Sequence, residues 1–178
     1  LGATDDPEVL SLTAGFLFTE GLIRSLKDLR RMEICSNDPG IIRVQLVDPG
    51  SVSPRRRNVT LGSACGICGG REAVDNLVEG LAPVADTARL RSSQFDGLMA
   101  AMRKLQTVFT QTGGAHAAAV FDRNAQLIAV AEDLGRHNAL DKVIGQCLLK
   151  DVVLSGCGVL LSSRLSLEMI TKAIRAGF

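Results

Sequence analysis

Two cysteines in the segment Gly62-Ser63-Ala64-Cys65-Gly66-Ile67-Cys68-Gly69-Gly70 carry the strongest chemical signal in the chain. The thiolate, not the thiol, is the nucleophile, so a reactive cysteine needs a lowered pKa. Flanking glycines permit close backbone approach and unusual dihedrals. A helix starting just after Gly70 would bring amide donors and a positive dipole end to the sulfurs, and Arg71 would add charge. Such a pair suits a persulfide carrier, in which one thiol attacks sulfur held by the other, or a disulfide exchanger. The competing reading is half of a zinc site. No second CxxC exists, and the remaining ligand candidates are Cys35, Cys147, Cys157, His116 and His137. Cys147 falls mid-helix and Cys157 mid-strand in the apolar pattern, where a cysteine behaves as a small buried residue. Thiol chemistry therefore ranks above zinc, and no structural metal is expected.

A second concentration of functional side chains runs through Glu132-Asp133-Leu134-Gly135-Arg136-His137-Asn138-Ala139-Leu140-Asp141-Lys142. It falls where a strand should give way to a helix, the place at which open α/β sheets bind ligands. Amides at the helix start, with Arg136, suit a phosphate, and Asp133 could accept hydrogen bonds from a guanine or a ribose. The plainer alternative makes Asn138 a helix N-cap, Asp141 a first-turn acid and Arg136 a surface charge. Ser162-Ser163-Arg164-Leu165-Ser166 repeats the arrangement at another strand end, with Ser166 equally able to cap. His116 follows Gly113-Gly114 at a strand start. Alone it reads as a structural histidine; its place after a Gly-Gly turn raises its interest.

These loops need a frame. Asp6 and Pro7 open a helix with Leu10, Ala14, Leu17 and Phe18 on one face, and Gly21 stops it. Met32 to Cys35 and Ile41 to Val47 read as strands around the turn Asn37-Asp38-Pro39-Gly40. The Pro-, Ser- and Arg-rich stretch Asp48 to Asn58 marks a boundary. It separates a small N-terminal α+β lobe, residues 1–60, from a main domain, residues 61–178. In the main domain a short helix should run from about Glu72 to Val78. A longer one, capped by Ser92-Ser93, should carry Phe95, Leu98, Met99, Met102, Leu105, Val108 and Phe109 inward and end at Gly113-Gly114. A hairpin of Ala115 to Phe121 and Gln126 to Ala131 follows, then a helix from Asn138 to Leu149, a strand from Val152 to Ser162, and a helix from Ser166 to Arg175. That order predicts an α/β fold with a layered mixed sheet flanked by helices.

Composition narrows the function. Hydrophobic residues reach 46% but aromatics only 3%, with no Trp or Tyr. The core must be aliphatic, and the scarcity of rings argues against a nucleic-acid platform that stacks bases. A net charge of +1 gives no global field toward nucleic acid or an anionic membrane. Arg55-Arg56-Arg57 and Arg24 to Arg31 read as solvated surface. No apolar run reaches the length of about 18 residues that a membrane span needs. Five cysteines in a chain of ordinary core size point to a reducing, cytoplasmic setting.

The segments Gly15 to Ile23, Cys65 to Gly69, Thr112 to Ala119, Glu132 to Lys142 and Ser162 to Met169, in that order, resemble the formate dehydrogenase accessory sulfurtransferases, the FdhD family. The run Gly-Arg-His-Asn-Ala-Leu-Asp-Lys is the most distinctive of them. The resemblance implies a cytoplasmic sulfurtransferase that takes persulfide sulfur from a cysteine desulfurase and passes it to the molybdenum or tungsten bis-molybdopterin guanine dinucleotide cofactor of formate dehydrogenase. By position, Cys65 bears the persulfide and Cys68 is its partner. The resemblance further implies a cytidine deaminase-like main lobe without zinc and a homodimer. It also implies a nucleotide-type pocket, to which His116, Asp133, Gly135, Arg136, His137, Asn138, Ser163, Arg164 and Ser166 are assigned. The chain reads as a fragment, since the family continues past Phe178 with strands linked to cofactor binding. The alternative from another class is a non-catalytic chaperone that binds and delivers the cofactor, for which Cys65 and Cys68 would matter little.

Overall fold

The first helix, α1 (Pro7–Thr19), starts where the sequence says it should: Asp6 accepts a hydrogen bond from the Glu8 amide at 2.9 Å, and Pro7 occupies the first turn. It ends before Gly21, which takes the left-handed φ of 72°. The structure is a computed structural model that describes residues 6–51 and 89–178, together with 78, 81 and 84. Cys65, Cys68 and the short helix expected over residues 72–78 therefore fall outside the described residues, apart from Val78.

α1 buries Leu10, Ser11, Thr13, Ala14, Gly15 and Thr19. The hydroxyls of Ser11 and Thr13 donate back to the carbonyls of Pro7 and Val9, at 2.6 and 2.8 Å, so burial leaves them satisfied. This face packs along α4 (Arg136–Leu149), the most extensive helix–helix contact among the described elements. The helices touch backbone to backbone. A Cβ on Gly15 would collide with the Asp141 carbonyl, and one on Gly145 with the Ser11 carbonyl. Only glycine fits at either crossing point.

β1 (Leu29–Cys35) and β2 (Asp38–Leu46) form an antiparallel hairpin. Cys35 pairs with Asp38, so the turn is Ser36-Asn37. The expected turn residues Asp38-Pro39-Gly40 lie instead inside β2, where the irregular register at Cys35 absorbs them.

α2 (Ser92–Leu105) and α3 (Thr107–Thr112) replace the single helix read from the sequence. Gln106 leaves helical geometry at φ −80°, ψ 77°, and breaks the run. Of the expected apolar stripe, Leu98 and Met102 are buried, whereas Phe95, Leu105 and Val108 are exposed. Gly113 ends α3 in left-handed geometry, as expected.

β3 (His116–Phe121), β4 (Leu127–Asp133) and β5 (Gly158–Leu161) form a sheet in the order β4-β3-β5. Asp122 turns the hairpin, its Oδ1 accepting from the amides of Asn124 and Gln126 at 2.9 and 2.8 Å. Both neighbours of β3 are antiparallel to it, so the mixed sheet is not found among the described strands. A tight hairpin can only join antiparallel strands. The β4–α4–β5 crossover then sets β5 parallel to β4 but leaves β3 between them. β5 is also shorter than expected, because residues 152–157 form loop and turn; Cys157 therefore precedes the strand rather than sitting within it.

The sheet is covered on both faces. Ala118, Val120 and Ala131 meet Ala139, Leu140, Val143, Ile144 and Cys147 of α4; Ala117, Ala119 and Leu160 meet Leu98 and Met102 of α2. The alanines of β3 let both helices sit close. No aromatic residue is among the described buried hydrophobic ones, in keeping with the aliphatic core expected. α5 (Leu167–Ala176) is capped by Ser166 and ended by Gly177, as expected. No described helix is long and apolar enough to cross a membrane.

Candidate functional site

The strand register brings three of the predicted segments to one end of the sheet. His116 opens β3 directly opposite Asp133, which closes β4. Ser162 follows β5, and its hydroxyl accepts from the Ala117 amide at 2.8 Å while its own amide donates to the Ala117 carbonyl at 2.9 Å. His116, the Asp133–Asn138 loop and the Ser163–Ser166 loop therefore share an edge.

Asp133 organises the loop that leads into α4. Its Oδ1 accepts from the Gly135 amide at 2.8 Å and from Asn138 Nδ2 at 3.1 Å, and its Oδ2 lies 2.9 Å from Lys142 Nζ. Lys142 also donates to the Glu132 carbonyl at 3.2 Å and pairs with Glu8 of α1 at 3.1 Å. Burial alone would raise the Asp133 pKa, but Lys142 and the Gly135 and Asn138 donors outweigh it and hold the carboxyl below its ordinary 3.8. Lys142 is the mirror case: burial would lower it, and the carboxylates of Asp133 and Glu8 hold it above its ordinary 10.5.

The acid pair Glu132-Asp133 does not act as a pair. Neighbours on a strand point to opposite faces. Glu132 reaches the start of α3, where its oxygens accept from the amides of Val108 and Phe109, both at 2.8 Å. Nor is Asn138 an N-cap. α4 begins two residues earlier than its apolar pattern indicated, with Gly135 at the cap position and no side-chain cap bond. Its first amides thus face the loop without a side-chain acceptor at the cap.

Arg136 and His137 open that helix. The Nε and Nη2 atoms of Arg136 are buried with no hydrogen-bond partner among the described residues. Buried donors without acceptors cost about 1–3 kcal/mol, which an anionic acceptor would recover. His137 Nε2 lies 3.1 Å from Glu168 Oε2 of α5, in contact but out of hydrogen-bond alignment. Ser163 is half-buried, Arg164 exposed, and the Ser166 hydroxyl caps α5 through the Met169 amide at 3.4 Å. Leu134 and Leu165, beside these loops, are exposed by 78% and 64%, so apolar surface flanks the polar groups.

Among the described residues no group of three or more His, Cys, Asp or Glu side chains is placed to hold a metal. Cys147 is wholly buried in α4, which pushes its thiol up to about 11, and burial raises Cys157 as well. Both fit a packing role rather than a nucleophilic one. Sequence reasoning missed Lys142, Glu168 and Lys172. The first two lie in segments already singled out, each four residues beyond a predicted site residue, Asn138 and Arg164 respectively; Lys172 carried no local signal.

The family model described as "FdhD/NarQ family" matches residues 5–178. The chain belongs to the FdhD/NarQ family. Among similar proteins are two named sulfur carrier protein FdhD. The one from Thermoplasma acidophilum is 39% identical over 94% of this chain and 60% of its own length. The one from Streptomyces coelicolor is 37% identical over 94% of this chain and 64% of its own length. The chain thus spans somewhat under two thirds of these family members. A crystal structure from Desulfotalea psychrophila, described as a candidate formate dehydrogenase accessory protein, matches with a TM-score of 0.67 at 25% identity, over 96% of this chain and 61% of that one.

Proposed function

We propose that this chain is the sulfur-handling part of a cytoplasmic, homodimeric sulfurtransferase that serves formate dehydrogenase. Cys65 takes sulfur from a cysteine desulfurase: its thiolate attacks the terminal sulfur of the desulfurase persulfide, the sulfur–sulfur bond breaks, and the desulfurase cysteine leaves as a thiolate. The acceptor is the molybdenum or tungsten bis-molybdopterin guanine dinucleotide cofactor, which is a substrate here. Cys68 can attack the inner sulfur of the Cys65 persulfide, which frees the outer one as hydrosulfide and leaves a Cys65–Cys68 disulfide for a thiol reductant to reset. The main lobe is cytidine deaminase-like in this reading. Family membership and the names of the relatives support the sulfur-carrier role.

The observation that carries the acceptor half is the pair of buried Arg136 donors, without a partner among the described residues, at the start of α4, which has no side-chain cap. They suit a phosphate of a guanine dinucleotide, and His137, Asn138 and Ser163 stand nearby to orient it. Calorimetric titration with guanosine diphosphate tests this. Unsubstituted protein should bind, and Arg136→Ala should weaken binding at least about tenfold, the loss of one charge-assisted contact. Equal binding by the variant would contradict the assignment. A cofactor-binding chaperone shares this site, so Cys65→Ala separates the readings: formate dehydrogenase maturation is lost if Cys65 carries the sulfur and retained if the protein only delivers the cofactor.

A further inference from the structure

Behind the site, α4 and α5 are joined by two side-chain rungs one helical turn apart on each helix. The outer rung is His137 with Glu168. The inner rung is Asp141 with Lys172, whose Nζ lies 2.7 Å from Oδ2 and 3.0 Å from Oδ1. Asp141 is 1% exposed and Lys172 3%. Lys172 also donates to Thr19 Oγ1 at 3.0 Å and contacts Glu20 Oε1 at 3.2 Å. Thr19 Oγ1 in turn donates to Asp141 Oδ1 at 2.7 Å, and Arg175 donates to the Thr19 carbonyl at 2.7 Å. The end of α1 and the bodies of α4 and α5 therefore meet in one buried, hydrogen-bonded knot.

Stability does not account for the knot. Removing two charges from water costs several kcal/mol, and apolar replacements for a buried ion pair are often neutral or stabilising. What a bidentate ammonium–carboxylate contact supplies is register. It fixes how far α4 is slid along α5, and so the separation of the Arg136 loop from the Ser163–Ser166 loop. We propose that Asp141 and Lys172 are positioning residues for the nucleotide site, acting through the His137–Glu168 rung rather than by touching the ligand. The inference rests on the reading of the Arg136 loop as that site.

The test compares the unsubstituted protein with the double variant Asp141→Asn, Lys172→Met and with Lys172→Arg. The double variant removes both charges of the inner rung together, and Lys172→Arg keeps the cation. Each is measured well below its melting temperature, by guanosine diphosphate calorimetry and by the positions of the His137 imidazole NMR signals at one fixed pH. The double variant should stay folded, weaken guanosine diphosphate about tenfold, as expected when contacts shift by a fraction of an ångström, and move the His137 imidazole signals. Lys172→Arg should keep more of the affinity than the double variant does. A merely structural role would lower the melting temperature and leave both readouts unchanged. Guanosine diphosphate binding by the unsubstituted protein, with identical affinity and His137 imidazole signals in the folded double variant, would overturn the positioning role alone. Failure of the unsubstituted protein to bind would remove the site reading and the positioning role with it.

Discussion

α4 contributes one member to each of two aspartate–lysine pairs that look alike on paper and behave oppositely. The outer one, Asp133 with Lys142, is partly exposed, and its carboxyl is held below 3.8. The inner one, Asp141 with Lys172, is buried, and burial pushes its carboxyl above 3.8 because Lys172 and Thr19 only partly offset the desolvation. Water makes the difference. Where solvent reaches the pair, hydrogen bonds and the opposite charge win; where it does not, the penalty on the charged form wins. The outer pair shapes the loop of the proposed nucleotide site, and the inner pair joins the two helices beside that loop.

The largest effect should come from breaking the inner pair on one side. Lys172→Met leaves the buried Asp141 carboxylate without its ammonium partner and should cost about 3–5 kcal/mol in chemical denaturation. A loss below about 1 kcal/mol, the value of an exposed pair, would erase the distinction between the pairs. Next is Gly145→Ala, which pushes α1 away from α4 and with it Thr19 and Glu20 from the inner pair. It should cost about 3 kcal/mol, the upper range for overpacking. Full stability in this variant would mean that the backbones are not in contact.

The smallest effect sharpens the comparison through pH. Asp133 has a lowered folded pKa, so its contribution is present above 3.8 and lost as pH falls through the lower folded value. Asp141 has a raised one, so its contribution is present below 3.8 and is lost as pH rises through the folded value. Asp133→Asn should therefore cost about 1 kcal/mol at neutral pH, discounted for solvent screening. The difference from the unsubstituted protein should vanish in strong acid. A pH-independent difference would remove the electrostatic account of the outer pair.

Local signals in the sequence were read well where one residue decides the outcome. Asp6 and Ser166 cap, Gly113 and Gly177 end helices, and Asp122 turns a hairpin. The strand-to-helix junctions that gather the candidate site were legible in position for the same reason, because they are short and polar. What was not legible depends on distant partners. Gly145 gives no hint that it touches Ser11, nor Lys172 that it meets Asp141 and Thr19. The break at Gln106 was hidden because apolar periodicity runs unbroken through it. Asp141 looked like a first-turn acid only because α4 was started too late.

The most direct test of the account is to incubate the protein with a cysteine desulfurase and cysteine, then weigh the Cys65-containing peptide with and without reductant. The account predicts a gain of one sulfur on Cys65 that reductant removes. No gain on a folded sample with free thiols would contradict it and leave the nucleotide site as that of a cofactor-delivering chaperone.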